Sequence, residues 1–209
     1  MQTFLNLRFT PTLLIQIFTT GGTIDKVYFD AASAYEVGEP QVADILRAAG
    51  VAAETAVEAL MHKDSLEMTD ADRATVAGRV RACAAARVVV THGTDTMAAT
   101  ARVVAQALEG AGEGEKTVVF VGSLTPARFK ASDAEFNVGF AMAAVQTLPP
   151  GVYVAMNGRV FDPHRVRKSR ERNRFEPGAP GEAPGEAPAG SAPSGTQGEP
   201  APGEPAPAG

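Results

Sequence analysis

The chain has 209 residues, a net charge of −5 and one cysteine, Cys83, which excludes an internal disulfide and a cysteine-cluster metal site. Nine of its 15 prolines, eight of its 21 glycines and four of its glutamates fall in residues 177–209, a stretch with no Lys or Arg. Without that stretch 19 basic residues face 20 acidic ones, a balance with no broad basic field to steer nucleic acid or an anionic membrane.

In chain order, Phe4 to Phe18 is fairly apolar, but no basic residue precedes Arg8, Pro11 interrupts it and no small-residue cleavage site follows. It reads as a short extension (residues 1–12) leading into a buried strand rather than a signal peptide, and the cytoplasm is the default location. Leu13 to Phe18 is an apolar run ended by Gly21-Gly22, which predicts a buried strand, with a long loop from Thr19 to about Gly38. Pro40 opens a helix whose Val42, Ile45, Leu46 and Ala49 share one face. Ala56 to Met61 is extended. Val76, Val80 and Cys83 mark a second helix with Thr69-Asp70 at its N-cap. Arg87 to Thr91 is a β-branched strand. Met97, Ala101, Val104 and Leu108 mark a third helix, Lys116 to Val121 a strand, Val138, Met142 and Val145 a fourth helix, and Val152 to Met156 a fifth strand.

Five strands alternating with four helices predict an α/β domain over residues 13–176, with a mainly parallel sheet and helices on both faces. Residues 177–209 repeat Ala-Pro-Gly-Glu and Gly-Glu-Pro-Ala-Pro and hold no side chain large enough to build a core. They are expected to form a disordered, solubilising tail. No apolar run reaches the roughly 18 residues of a transmembrane helix. Three scattered histidines, His62, His92 and His164, argue against a His-rich metal site.

Ligands of such sheets bind beyond the carboxyl ends of the strands, so the residues just after each strand carry the information. Thr20-Gly21-Gly22-Thr23-Ile24 leaves the first strand. Its glycines permit a sharp turn and a close approach of substrate to backbone, but the phosphate-loop patterns are absent. Alone it reads as well as a structural turn. Thr91-His92-Gly93-Thr94-Asp95-Thr96 runs from strand to helix. Thr94 or Asp95 could simply cap the third helix, or the free N–H groups there could bind an oxyanion while Asp95 holds an ammonium.

Together the two segments resemble the two signatures of the bacterial-type L-asparaginase family, and the resemblance runs from about Leu13 to Phe175. Tyr35-Glu36-Val37-Gly38, Asp64 to Met68, Gly122 to Pro126, Met156-Asn157, Asp162 and Lys168 fit it as well. It implies a hydrolase converting L-asparagine to L-aspartate and ammonia, with no metal or organic cofactor; a site more open than in the two-domain members adds the expectation of weak asparagine affinity and little glutaminase activity. Thr23 is the implied nucleophile with Tyr35 beside it on a mobile loop, and Tyr28 is the alternative tyrosine. Thr94, Asp95 and Lys168 form an implied second triad, Lys168 helping to deprotonate Thr94 or activate water. Ser65, Glu67, Thr94 and Asp95 are the implied substrate-binding residues. His92, Cys83 and the methionines are read as structural.

Two departures stand out. Leu66 and Glu67 occupy positions where long members usually carry Gln and Asp, which puts affinity and selectivity in question. The chain is also shorter than the two-domain members and resembles the short, single-domain form, for which a homo-oligomer (a dimer or tetramer) is expected. Two rivals remain: an amidase of the same family acting on another amide, and a non-enzymatic amino-acid-binding remnant.

Overall fold

The structure is a computed structural model that describes residues 14–29, 34–110 and 115–178. The expected N-terminal extension and residues 179–209 of the expected tail lie outside the described residues.

A six-stranded sheet has the order β4-β1-β5-β6-β7-β8. Its strands are β1 (Ile15–Gly21), β4 (Thr55–Lys63), β5 (Arg87–Thr91), β6 (Thr117–Val121), β7 (Gly151–Met156) and β8 (Arg159–Phe161). The first five are parallel and β8 runs antiparallel to β7. The helices are α1 (Val42–Ala48), α2 (Asp70–Ala82), α3 (Met97–Gly110) and α4 (Ala134–Thr147). This is the expected α/β fold. Its central strands read as unbroken apolar runs because both faces are covered: Val88, Val89, Val90, Val118, Val119, Phe120 and Val121 are all fully buried. Each such side chain contributes about 1.5–3 kcal/mol on burial.

The helices form because their apolar positions recur at helical spacing. Met97, Ala101, Val104 and Leu108 of α3 are buried as one stripe. Thr69 caps α2 through a capping box: its Oγ1 accepts from Asp72 N–H at 3.2 Å, and Asp72 Oδ2 accepts from Thr69 N–H at 2.8 Å. The β1–α1–β4 and β4–α2–β5 connections cross the sheet in opposite directions, so right-handed crossovers place α1 and α2 on opposite faces. α3 packs with α2, and α4 packs with α1. The connections through α3 and α4 therefore step the same way across the sheet on opposite faces, which makes β6–α4–β7 a left-handed crossover, the uncommon sense.

Two antiparallel hairpins flank the carboxyl end of the sheet. The long loop expected from Thr19 to Gly38 is in fact the end of β1, a 3-10 turn at Thr23–Asp25 and the hairpin β2 (Lys26–Phe29)–β3 (Ala34–Val37). β9 (Val166–Ser169) and β10 (Arg174–Pro177) form the other. Pro177 pairs with Val166, and Gly178 N–H donates to Arg165 O at 2.9 Å. The folded part thus reaches past the expected domain end at residue 176.

Candidate active site

Backbone packing assembles the floor of the site. Gly22, at φ +91°, precedes Thr23 and lies directly against Gly93; a Cβ there would overlap Gly93 N and Cα. A Cβ on Gly93 would lie 2.6 Å from Ser65 Cβ and 2.7 Å from its Oγ. Only glycine permits these approaches. The loops after β1, β4 and β5 therefore meet, which brings Thr23, Ser65, Thr94 and Asp95 to one corner. Two further bonds lock it: Thr20 Oγ1 donates to Thr91 O at 3.0 Å, and Thr96 Oγ1 donates to Ser65 O at 2.7 Å. Ser65 and Thr94 are buried, while Thr23 is half-buried.

Lys168 reaches this corner from β9. Its Nζ donates to Thr94 Oγ1 at 2.7 Å and to Asp95 Oδ1 at 3.1 Å. Thr94 and Asp95 thus spend these side-chain oxygens on Lys168 rather than on capping α3. Arg170 adds a second cation, 3.7 Å from Asp95 Oδ1. Asp64 sits on the same rim and pairs with Lys26 at 2.7 Å. Burial pushes its carboxyl up, but hydrogen bonds from Leu66 N–H and Lys26, with the charges of Lys26 and Lys168, outweigh that and hold it below the usual range. Leu66 and Glu67 are exposed on the turn that follows.

Tyr35 and Tyr28 are cross-strand partners on the β2–β3 hairpin, with rings in an edge-on contact at 5.4 Å, and Tyr35 also meets Phe129 at 6.1 Å. Both are about half exposed, at 51% and 53%. Among the described residues no hydrogen bond joins either hydroxyl to Thr23, so geometry alone does not choose between them. The hairpin is tied to the floor at Asp25, a fully buried carboxylate two residues after Thr23. Asp25 O accepts from Gly38 N–H at 2.9 Å and Oδ1 from Gln41 N–H at 2.8 Å, while Oδ2 has no partner. Burial pushes its pKa up to about 6, against the lowering effects of the Gln41 N–H and His62.

His92 is buried beneath the floor, its Nδ1 2.8 Å from Gly93 O and its Nε2 2.8 Å from Thr100 Oγ1. With both ring nitrogens occupied it braces the loop. Burial depresses its pKa to about 4, opposed by the Gly93 bond and helped by the nearby Arg73 charge. Cys83 is a partly buried helix-end residue, its Sγ 3.2 Å from Val80 O. Among the described residues no group of three or more His, Cys, Asp or Glu could hold a metal ion, and no helix is long and apolar enough to cross a membrane. A cavity of about 470 Å³ opens beside the β9–β10 hairpin, lined by Arg159, Arg172 and Arg174 among others, and it does not include the Thr23 corner.

Sequence reasoning missed Arg170, Asp25 and the polar partners Asp133 and Asn137 that lead to Asn157, a residue it named without giving it a role. Asp133 and Asn137 stand four residues apart at the start of α4, a spacing that marks one helix face, but nothing local says that the face turns toward the site.

A parallel α/β sheet bearing a threonine–lysine–aspartate cluster and a second threonine at its carboxyl end defines the class of this domain. The family model described as Asparaginase, N-terminal, matches residues 14–178. Over 164 residues (74% of this chain and 46% of the relative) the chain is 32% identical to a probable periplasmic L-asparaginase of Haemophilus influenzae. It is 39% identical over 75 residues, 36% of this chain and 17% of the relative, to a component of the glutamyl-tRNA(Gln) amidotransferase of Methanococcus vannielii. Among solved structures it is similar to L-asparaginase I of Vibrio cholerae, with a TM-score of 0.69 and 26% identity over 80% of this chain and 52% of that one. The chain belongs to the asparaginase family. It spans about half the length, or less, of these relatives.

Proposed function

We propose that this chain is an L-asparaginase that hydrolyses L-asparagine to L-aspartate and ammonia with Thr23 as nucleophile. The observation that carries the reading is Lys168 Nζ lying 2.7 Å from Thr94 Oγ1 and 3.1 Å from Asp95 Oδ1, in the corner where Gly22 and Gly93 bring Thr23 alongside. A free threonine hydroxyl is a weak nucleophile and needs a proton acceptor. In this reading Thr23 Oγ1 attacks the side-chain amide carbon and its proton passes, through Tyr35 or the Thr94–Lys168 pair, to the departing nitrogen. The carbonyl oxygen becomes an oxyanion that the Thr94 N–H stabilises, and ammonia leaves an acyl ester on Thr23. Water, deprotonated through Thr94 and Lys168, then cleaves that ester to release aspartate and restore the threonine. Ser65 holds the α-carboxylate and Asp95 the α-ammonium, with Glu67 a further substrate-binding residue on the same turn, and these contacts fix the amide carbon against Thr23.

The reading includes little activity on glutamine, a homo-oligomer and a cytoplasmic location. Nucleic acid and membranes are not partners in it, and the catalysis needs no metal or organic cofactor. Its domain is residues 13–176 with β10 completed by Pro177, followed by a solubilising tail. Ammonia release from L-asparagine tests it: Thr23→Ala is expected to lower kcat at least about 1,000-fold, and equal rates for wild type and variant would remove Thr23 from the mechanism. Steady-state rates on both amides test selectivity, and a preference for glutamine would overturn it. One second reading has its own support. The Methanococcus relative is part of an amidotransferase, and Leu66 is 60% exposed on the substrate-side turn. An amidase of the same chemistry acting on another amide is thus the alternative, and turnover of other amides where asparagine is ignored would establish it.

A further inference from the structure

Lys168 stands on a hairpin outside the main sheet, so something has to hold it to within a few tenths of an ångström of Thr94. We infer that Asn157, held by Asn137, is the positioning residue that sets Lys168 against Thr94. This rests on the proposed role of Lys168.

The geometry runs in one unbroken line. Asn137 is fully buried near the start of α4. Its Nδ2 donates to Asp133 Oδ2 at 2.8 Å and to Gly122 O at 3.2 Å, which fastens it to the loop after β6. Its Oδ1 accepts from Asn157 N–H at 3.1 Å, at the end of β7. Asn157 Oδ1 accepts in turn from Phe175 N–H at 3.0 Å. Phe175 is the direct cross-strand partner of Lys168 in the β10–β9 pair. The far end of the chain is fixed too: the Asp133 carboxylate accepts from Leu124 and Thr125 N–H, all at 3.0 Å. Loop, helix, strand end and hairpin are therefore joined through two asparagine side chains.

Asn157 is suited to the task by its backbone as well. It has φ 53°, a left-handed conformation that asparagine and glycine tolerate. That turn sends the chain from β7 back into β8 and on toward β9. Fixing the backbone of Phe175 fixes the register opposite Lys168, and an error of about 1 Å at a catalytic group can cost about 100-fold in rate. Asn157 does not touch the reacting atoms in this account; it acts through Lys168.

Three variants of the full chain, assayed for ammonia release from L-asparagine, test this. Asn157→Gly keeps the left-handed turn and removes the acceptor, Asn157→Asp keeps both, and Lys168→Met removes the lysine. The expected result is a kcat about 10–100-fold lower in Asn157→Gly with KM within about 2-fold of wild type, and recovery to within about 3-fold in Asn157→Asp. A kcat in Asn157→Gly within about 2-fold of wild type, a KM that rises in step with the loss, or an Asn157→Asp that recovers nothing would each overturn the positioning role. Should Asn157→Gly fail to fold, Asn157→Ser, whose hydroxyl is too short to reach Phe175 N–H, replaces it under the same criteria. Lys168→Met separates the two claims. If it is inactive while Asn157→Gly is unimpaired, the lysine's role stands and the positioning fails. If it keeps full activity, the role of Lys168 fails and the inference goes with it.

Discussion

The floor and the walls of the site are built by different means. The floor is close packing on glycine backbone: Gly22 against the backbone of Gly93, and Gly93 against the side chain of Ser65, at distances that admit no Cβ. The walls are two hairpins, and each is attached by a handful of side-chain bonds. The β2–β3 hairpin hangs on Asp25 and on the Tyr35–Phe129 contact. The β9–β10 hairpin hangs on Asn157 and on the Lys168–Asp95 pair. A floor of close-packed glycines is rigid and intolerant of change. Walls held by exchangeable polar contacts can be adjusted, and they supply the groups that move protons in the proposed reaction.

The largest expected effect breaks the floor. Gly22→Ala must push a methyl group into the Gly93 backbone at a φ of +91°, and chemical denaturation should show about 3 kcal/mol of lost stability together with loss of activity. Gly50→Ala is the internal comparison. That glycine also has positive φ, at +62°, but a Cβ on it meets nothing within 4 Å, so only the conformational cost of about 1 kcal/mol should appear. Equal losses in the two variants would show that close packing of the floor contributes nothing.

A smaller effect tests the first wall. Tyr35→Phe should lower kcat about 100-fold if its hydroxyl relays a proton, with Tyr28→Phe close to wild type. The reverse pattern would transfer the role to Tyr28, which faces the same side of the hairpin.

The hinge between floor and wall can be read through pH. Asp25 is raised to about 6 by burial, so its folded form binds a proton more readily than the unfolded chain, and its contribution to stability grows as pH falls through 6. His92 is depressed to about 4, so the unfolded chain takes up the proton first and stability is lost as pH falls below about 6.5. The two terms oppose each other in wild type. Asp25→Asn leaves only the histidine term, and between pH 7 and pH 5 it should lose about 1 kcal/mol more stability than wild type does. Parallel pH profiles for the two proteins would remove Asp25 from this balance.

The smallest effect concerns the end of the second wall. Deleting residues 179–209 should change kcat less than about 2-fold, since β10 and the Gly178–Arg165 bond remain. A cut before Arg174 removes β10 and should abolish activity. Kinetics of the two truncated chains would decide whether the wall ends where the structure places it.

The parts of the fold that were legible share a cause. Arg87–Thr91 and Thr117–Val121 read as strands because strands buried on both faces are apolar throughout, and α3 read as a helix because one stripe of it is apolar. Thr69 announced the start of α2 through its own side chain. The hairpins did not announce themselves. Lys26–Phe29 mixes a lysine with aromatic residues, and Val166–Ser169 lies in a run of arginines that reads as a solvated face. These strands exist because their partners hold them, not because their own residues prefer to be extended, and such preference is weak on exposed edges.

The site divides along the same line. Thr23, Thr94 and Asp95 sit in short motifs after strand ends, where local chemistry marks them as candidates, and the resemblance of the two motifs together to the asparaginase family singled them out. The meeting of Lys168 with Thr94, 74 residues apart in the chain, was implied by the family resemblance and by no local pattern, while the second cation at Arg170, the unpartnered oxygen of Asp25 and the line from Asn137 to Phe175 are decided only by tertiary structure. Periodicity and capping act within a few residues and so can be read from the amino-acid sequence. Which side chain faces which across a sheet depends on crossover sense and strand register, and those are settled only when the whole core packs.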